Sequence, residues 1–252
     1  MPRHPIRAIL RLLGFLVIVA AALGALAVRW LRRWGLDVRE RADWLHRWTG
    51  RALCWFDIRL RVEGQPPASG LIVSNHLGYL DVFVLSAIAP TVFVSNDDVG
   101  RWPVAGMLAR LAGTVFIDRR RRADVVRVGA TLIRVVEAGH AVALFLEGTS
   151  TGGDRVLPFH ASLLAPAVRN RWTITPAFVA YLSPTAAPER EICYWGEAVF
   201  FTHFLNLIGL RGTEAHVTFG TSRIAEGDRR ALAVALREEV CALGARAGRT
   251  FH

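Results

Sequence analysis

Apolar residues fill every position from Leu12 to Val28, with Arg11 before them and Arg29 after. Seventeen such residues in a row lie at the lower edge of what a helix needs to cross a bilayer. Residues 36–56 then mix arginines with Val38, Trp44, Leu45, Trp48 and Leu53, a spacing that predicts a helix with one apolar face. From Asp57 to Val62 polar and apolar residues alternate strictly, the signature of a strand, and Gln65 to Gly70 is turn-rich. Short apolar runs at 71–74, 91–95, 113–117, 141–146 and 173–180 predict buried strands. The stretches between them, 81–88, 101–112, 122–139 and 161–170, predict helices. Beyond Pro184, Ile192–Trp195 and Ala215–Phe219 predict strands, Phe200–Leu210 an apolar helix, and 228–247 a closing amphipathic helix.

Strand and helix alternating in this way predict an α/β fold: a central, mostly parallel sheet flanked by helices, with an N-terminal membrane-associated helical segment. The expected division is 1–56 for the membrane-associated helices and 57–252 for a catalytic domain. At 252 residues the chain has room for one large domain plus such an appendage.

Composition sharpens the membrane reading. The chain is 52% hydrophobic and its mean hydropathy is +0.31, high for a freely soluble protein. Arg3, Arg7 and Arg11 together with Ala25-Leu26-Ala27 imitate a signal peptide, yet Val28-Arg29-Trp30-Leu31-Arg32-Arg33 is a poor start for a mature secreted domain. Arginines on both flanks give the positive-inside rule no direction, and they also suit a helix lying in one leaflet. The sequence permits either arrangement.

The net charge is +10, and every basic side chain apart from histidine is arginine. That balance favours an anionic partner such as a lipid surface. Nothing resembles a recognition helix or a base-stacking motif, so no nucleic-acid partner is expected. Cys54, Cys193 and Cys241 are odd in number and far apart, which excludes a disulfide framework and a cysteine metal site and favours a reducing compartment.

Three polar clusters follow predicted strands, where open α/β sheets place their ligand sites. Asn75-His76 with Asp81 follows Leu71–Ser74; Asp118 and Arg119 to Arg122 follow Gly113–Ile117; Glu147-Gly148-Thr149-Ser150 follows Ala141–Leu146. An imidazole is a base near neutral pH, and a carboxylate on its second nitrogen fixes the tautomer. No G-x-S-x-G or comparable nucleophile signature accompanies the pair, which points to a substrate that brings its own hydroxyl. The arginine run also reads as the solvated start of a helix, and Glu147 as a cap.

Taken together, VSNHLGYLD, GTVFIDR, LFLEGTS and ITPAFVAY, in that order and spacing, resemble the four blocks of the glycerolipid (lysophospholipid) acyltransferase family. The resemblance runs from about Val62 to Phe219, and Gly152–His160 is similar to bacterial members that acylate lysophosphatidate or lyso-ornithine lipid. It implies that His76 is the general base and that Asp81 orients it. Arg119, with Gly113, would hold the acceptor's phosphate; Glu147 and Gly148 would position the acceptor; Pro176 would shape the acyl site; Asn75 and Thr149 would join the substrate contacts. The implied donor is acyl-CoA or acyl-carrier protein, with no metal or other cofactor. Membrane lipids are the implied partners, and the place of action the cytoplasmic face of the inner membrane. The first expected acceptor is 1-acylglycerol-3-phosphate. Lyso-ornithine lipid or another lysolipid is the alternative, and a non-catalytic basic membrane-binding protein a further one. The chain departs from the family pattern at Leu146, where many relatives have proline, and at Ser150, frequently arginine. It also has Val94-Ser95-Asn96-Asp97-Asp98 in place of an A-K-x-E pattern.

Overall fold

The computed structural model describes residues 3–118 and 121–249, apart from the Arg122 side chain. Two helices lead, α1 (Pro5–Arg33) and α2 (Val38–Trp55), followed by β1 (Ile58–Glu63), β2 (Gly70–Ser74), α3 (Leu80–Ile88) and β3 (Thr91–Asn96). Next come α4 (Asp97–Gly100), α5 (Ala105–Leu111), β4 (Val115–Ile117), α6 (Arg122–Glu137) and β5 (Ala141–Phe145). A 3₁₀ turn (Ala161–Leu164) leads into α7 (Ala165–Asn170), β6 (Thr173–Leu182), α8 (Pro188–Glu191) and α9 (Phe200–Gly209). The chain closes with β7 (Thr213–Phe219), β8 (Arg223–Ile224) and α10 (Arg229–Arg246).

The strands form one sheet in the order β1-β7-β6-β2-β5-β3-β4, with β8 alongside β6. From β6 to β4 all neighbours run parallel, so the C-terminal ends of β6, β2, β5, β3 and β4 share one edge. At the other end β7 is antiparallel to β6, and β1 runs parallel to β7. The inner strands are buried on both faces, which is why they read as continuous apolar runs rather than alternating ones. Ile72, Ala143, Ala177 and Val179 face a core completed by Leu53 of α2, Val84 and Leu85 of α3 and Leu207 of α9. Leu71, Val73, Val142 and Leu144 face the other layer, with Val128 and Leu132 of α6 and Leu236 of α10.

The helix α1 lies along the body. Trp44 Nε1 donates to the carbonyl of Ala22 at 2.8 Å, and Trp55 Nε1 to that of Arg11 at 2.9 Å. Arg7 reaches the Gly209 carbonyl at the end of α9. Ile6, Leu10, Leu13, Val17 and Leu31 remain exposed on its outward side. α1 is long and apolar enough to cross a membrane. α2 starts at a capping box in which Asp37 and Glu40 each accept the other's backbone N–H.

Three expectations need correction, and one element was not anticipated. The predicted strand Ile192–Trp195 is a turn: the N–H groups of Ile192 and Cys193 return to the Pro188 carbonyl, and that of Tyr194 goes to Leu77 O. Ile192 and Cys193 are buried as packing beside the sheet, while Trp195 is exposed. The helix expected over 101–112 forms only as α5, because Pro103 lies between it and α4 and cannot continue a helical ladder. The strand expected from Gly113 begins at Val115, because Gly113 (φ +81) closes α5 in a Schellman turn, with its N–H on Arg110 O and that of Thr114 on Ala109 O. The two-residue β8 lies outside every predicted run.

Candidate active site

β2 ends at Ser74, and the next residue continues its pairing through a side chain. The Asn75 amide donates from Nδ2 to the Val179 carbonyl at 2.9 Å, and Oδ1 accepts the Val179 N–H at 2.8 Å. Asn75 is buried, so it works as a rung between β2 and β6 rather than as a surface contact. Its neighbour His76 is thereby fixed at the C-terminal edge of the sheet.

The chain turns back through Gly78 (φ +140) into α3, whose first turn carries Asp81. Asp81 is 0% exposed. Its Oδ2 accepts from His76 Nδ1 at 2.8 Å, from Leu77 N at 2.7 Å and from Gly78 N at 3.1 Å. Its Oδ1 accepts the Tyr181 hydroxyl at 2.5 Å. A carboxylate that only accepts requires the proton on Nδ1, which leaves the Nε2 lone pair of a neutral imidazole free. Nε2 has no hydrogen-bond partner among the described residues. The ring stacks on Phe145 at 4.1 Å between centroids, and the side chain is 22% exposed.

Glu147 holds the same loop from the neighbouring strand. Its Oε1 accepts the His76 backbone N–H and its Oε2 the Leu157 N–H, both at 2.7 Å. The residue is 3% exposed. Burial pushes its carboxyl up to about 7, against the downward pull of the two backbone donors. Thr151 N donates to the His76 carbonyl at 2.9 Å, and Tyr194 N to that of Leu77 at 2.8 Å. The main chain around the imidazole is therefore held by β5, by the loop after it and by the turn after α8.

Below the loop lies an aromatic floor. Tyr79 packs against Tyr194 and Phe200 at 5.4 and 5.1 Å, and Trp102 against Phe200 at 5.2 Å. Tyr79 OH lies 2.9 Å from His203 Nδ1, and His203 Nε2 lies 3.0 Å from the Cys193 carbonyl. A carbonyl can only accept, so Nε2 of His203 carries the proton and Nδ1 takes that of Tyr79. Burial lowers the His203 pKa, in keeping with a neutral ring.

His76, Asp81, Asn75 and Glu147 thus come together, while Gly148 and Thr149 lie exposed immediately beyond Glu147. Gly113 stands at the other end of β4, as a helix-terminating turn. Pro176 pairs with Val73 in the sheet and lines a cavity of about 290 Å³ with Thr221, Arg223, Glu239 and Arg246. Arg119 and Arg120 lie outside the described residues. Two other arginines near this edge are engaged by neighbours: Arg101 with Asp97 at 3.0 Å and Arg155 with Asp154. Sequence reading missed Tyr181, whose only signal was its place at the end of the fourth apolar block.

No serine, threonine or cysteine side chain hydrogen-bonds the imidazole among the described residues. Ser74 Oγ turns to Asn75, and Ser150 Oγ donates to the Tyr194 carbonyl. The arrangement can take a proton from a group outside the chain and return it, but it holds no nucleophile of its own.

Comparison with known proteins places these features in context. A family model described as Acyltransferase matches residues 59–180. The chain is 33% identical to a lyso-ornithine lipid O-acyltransferase of Pseudomonas aeruginosa, over 82% of this chain and 82% of that protein. A protein of the same name from Rhodobacter capsulatus is 38% identical over 64% of this chain, which spans 60% of that protein's length. A 1-acyl-sn-glycerol-3-phosphate acyltransferase of Neisseria gonorrhoeae is 36% identical over 46% of this chain and 47% of that protein. The crystal structure of the 1-acyl-sn-glycerophosphate acyltransferase PlsC from Thermotoga maritima matches in fold, with a TM-score of 0.66 over 98% of this chain and 99% of that one, at 18% identity.

Proposed function

The chain belongs to the acyltransferase family, and from that premise we propose that it moves a fatty acyl group from a thioester donor to the free hydroxyl of a lysolipid. The observation that carries the mechanism is the His76–Asp81 pair, whose Nε2 has no hydrogen-bond partner and no nucleophilic side chain bonded to it among the described residues. His76 Nε2 takes the proton of the acceptor hydroxyl as its oxygen attacks the thioester carbonyl. The tetrahedral intermediate collapses, the C–S bond breaks, and the imidazolium returns the proton to the departing thiolate. Asp81 stabilises the imidazolium in between. Holding donor and acceptor side by side supplies the proximity term. The chemistry as written uses no metal and no redox cofactor, and the donor is acyl-CoA or acyl-carrier protein.

For the acceptor we favour a lyso-ornithine type of lipid. An ornithine headgroup carries an ammonium and a carboxylate, whereas lysophosphatidate presents a phosphate. Asn96 ends β3 where the family pattern puts a lysine, Asp97 and Asp98 follow it, and Arg101 and Arg155 are each paired with a carboxylate. The relative matched over 82% of both chains carries the lyso-ornithine name. Lysophosphatidate is the second reading, supported by the shorter match to the Neisseria protein.

For location we propose the cytoplasmic leaflet of the inner membrane. α1 packs on α2 and α9 with one side and keeps Leu10, Leu13 and Val17 outward, which suits a helix half-immersed in one leaflet.

The test is acyl transfer in membranes bearing the wild-type chain or His76→Ala, offered lyso-ornithine lipid and lysophosphatidate side by side with product masses recorded. Loss of roughly 10²–10⁴-fold in the variant is expected, with the ornithine lipid the preferred acceptor. Unchanged activity in His76→Ala removes the mechanism, and a preference for lysophosphatidate reverses the acceptor assignment.

A further inference from the structure

Among the described residues the Asp81 carboxylate has four donors, and they divide by origin. His76 Nδ1, Leu77 N and Gly78 N all meet Oδ2, and all belong to the loop that Asp81 itself closes. Those three contacts close one loop upon itself. The fourth, on Oδ1, comes from Tyr181, 100 positions further along the chain. Tyr181 is 1% exposed and sits on β6, in register with Ala215 of β7. Its backbone carbonyl accepts from Arg249, and its hydroxyl meets only Asp81 among the described residues. A buried tyrosine satisfied by chance would have many backbone acceptors to choose from. This one reaches the carboxylate behind His76.

We propose that Tyr181 is a positioning residue for acyl transfer: its hydroxyl ties Asp81 to the sheet and tempers the basicity of the carboxylate that holds His76. The proposal rests on the reading of His76 as the general base. A donor to the charged form of a carboxylate stabilises that form. The same donor draws electron density from the carboxylate, which then grips the imidazolium less tightly. The phenol remains a donor throughout, because burial and the neighbouring Asp81 raise its pKa well above the usual range.

Other titratable groups face this pair. Tyr79 at the start of α3 and Cys193 after α8 are both held in the neutral form by burial. Glu147 titrates near 7. Asp154, Glu189 and Arg249 stand further out, around Cys193. None of these changes when only the Tyr181 hydroxyl is altered.

The experiment measures kcat, KM and the pH profile of kcat/KM for the wild-type chain, Tyr181→Phe, and the chain with 3-fluorotyrosine at position 181. In Tyr181→Phe, kcat falls about 10-fold while KM stays within about twofold. The acid limb moves up by roughly half to one pH unit, since losing one donor makes Asp81 more basic. Fluorination makes the hydroxyl a stronger donor without changing the packing much, and it moves the limb the other way. Opposite shifts in two variants exclude Glu147 as their source. A limb that stays in place in both, or a change in KM alone, overturns the proposal. Should Tyr181→Phe fail to fold, the fluorinated chain decides by itself. His76→Ala separates the two readings: activity in that variant removes the general base, whereas an inactive variant with an unmoved Tyr181 limb removes only the role of the phenol.

Discussion

Glu147 accepts the backbone N–H of His76 at 2.7 Å, so the strand beside β2 holds the main chain of the base itself. The second oxygen takes Leu157 N at the same distance, and one carboxylate thereby joins two loops. In Glu147→Gln one of the two N–H groups faces an NH₂ instead of an acceptor, which costs about 1–3 kcal/mol of stability. Displacement of His76 lowers kcat on the order of 100-fold. Thermal unfolding and steady-state kinetics check the two effects separately.

The pH dependence of stability carries the same residue's mark. Burial raises the Glu147 carboxyl in the folded chain to about 7, above its ordinary 4.5. Between those values the folded form holds a proton that the unfolded form has released. Its stabilising contribution is therefore complete below pH 4.5 and lost as pH rises to 7, by an amount on the order of 3 kcal/mol. Denaturant unfolding at stepped pH shows this decline in the wild-type chain and a flatter curve in Glu147→Gln.

Asn75→Ala removes both hydrogen bonds to the Val179 backbone. A buried N–H and a buried C=O on β6 lose their partners, at about 1–3 kcal/mol each. A drop in the unfolding midpoint accompanied by loss of activity is expected, because the same rung fixes the start of the His76 loop. Equal stability of variant and wild type refutes the rung.

Gly78→Ala is the most damaging small substitution at the site. The position has φ +140, and an added Cβ meets the Cβ and backbone N of Tyr194 at 2.8 and 2.9 Å. Gly78 N is also one of the Asp81 donors, and Tyr194 N holds the Leu77 carbonyl. Moving this turn by an ångström costs on the order of 100-fold in kcat, and the loss exceeds what the unfolding midpoint alone accounts for.

Thiol labelling separates the cysteines. Cys54 is exposed, whereas Cys193 is buried and its thiol is pushed far up by that burial. Iodoacetamide at pH 8 alkylates Cys54 in the folded chain and reaches Cys193 only after unfolding; peptide mass mapping gives the result.

The strands of the parallel layer were legible because each is buried on both faces and so appears as an unbroken apolar run. Leu71–Ser74, Val92–Val94 and Ala141–Phe145 could hardly be anything else between turn residues. The catalytic-type pair was legible for a related reason: His76 and Asp81 are five apart and meet across one turn, so their distance is a local property. The reading failed where local pattern and burial part company. Ile192–Trp195 is as apolar as a strand, yet its N–H groups are engaged by Pro188 and Leu77. Apolar character reported that Ile192 and Cys193 are enclosed and said nothing of what encloses them.

The order β1-β7-β6-β2-β5-β3-β4 is not the order of the chain, and everything that depends on it waited for the tertiary structure. It puts β6 beside β2, so Asn75 finds Val179 and Asp81 finds Tyr181; it puts β5 on the other side, so Glu147 finds the main chain of His76. It also leaves Gly113 at the N-terminal end of β4, although the motif blocks set it in one series with the base. The chain's own residue order specified the fold class, the apolar leading helix and the base with its carboxylate, since periodicity and short loops act within a few residues. Which distant groups complete that pair depended on strand adjacency, which the packing of the whole sheet decides and no single segment encodes.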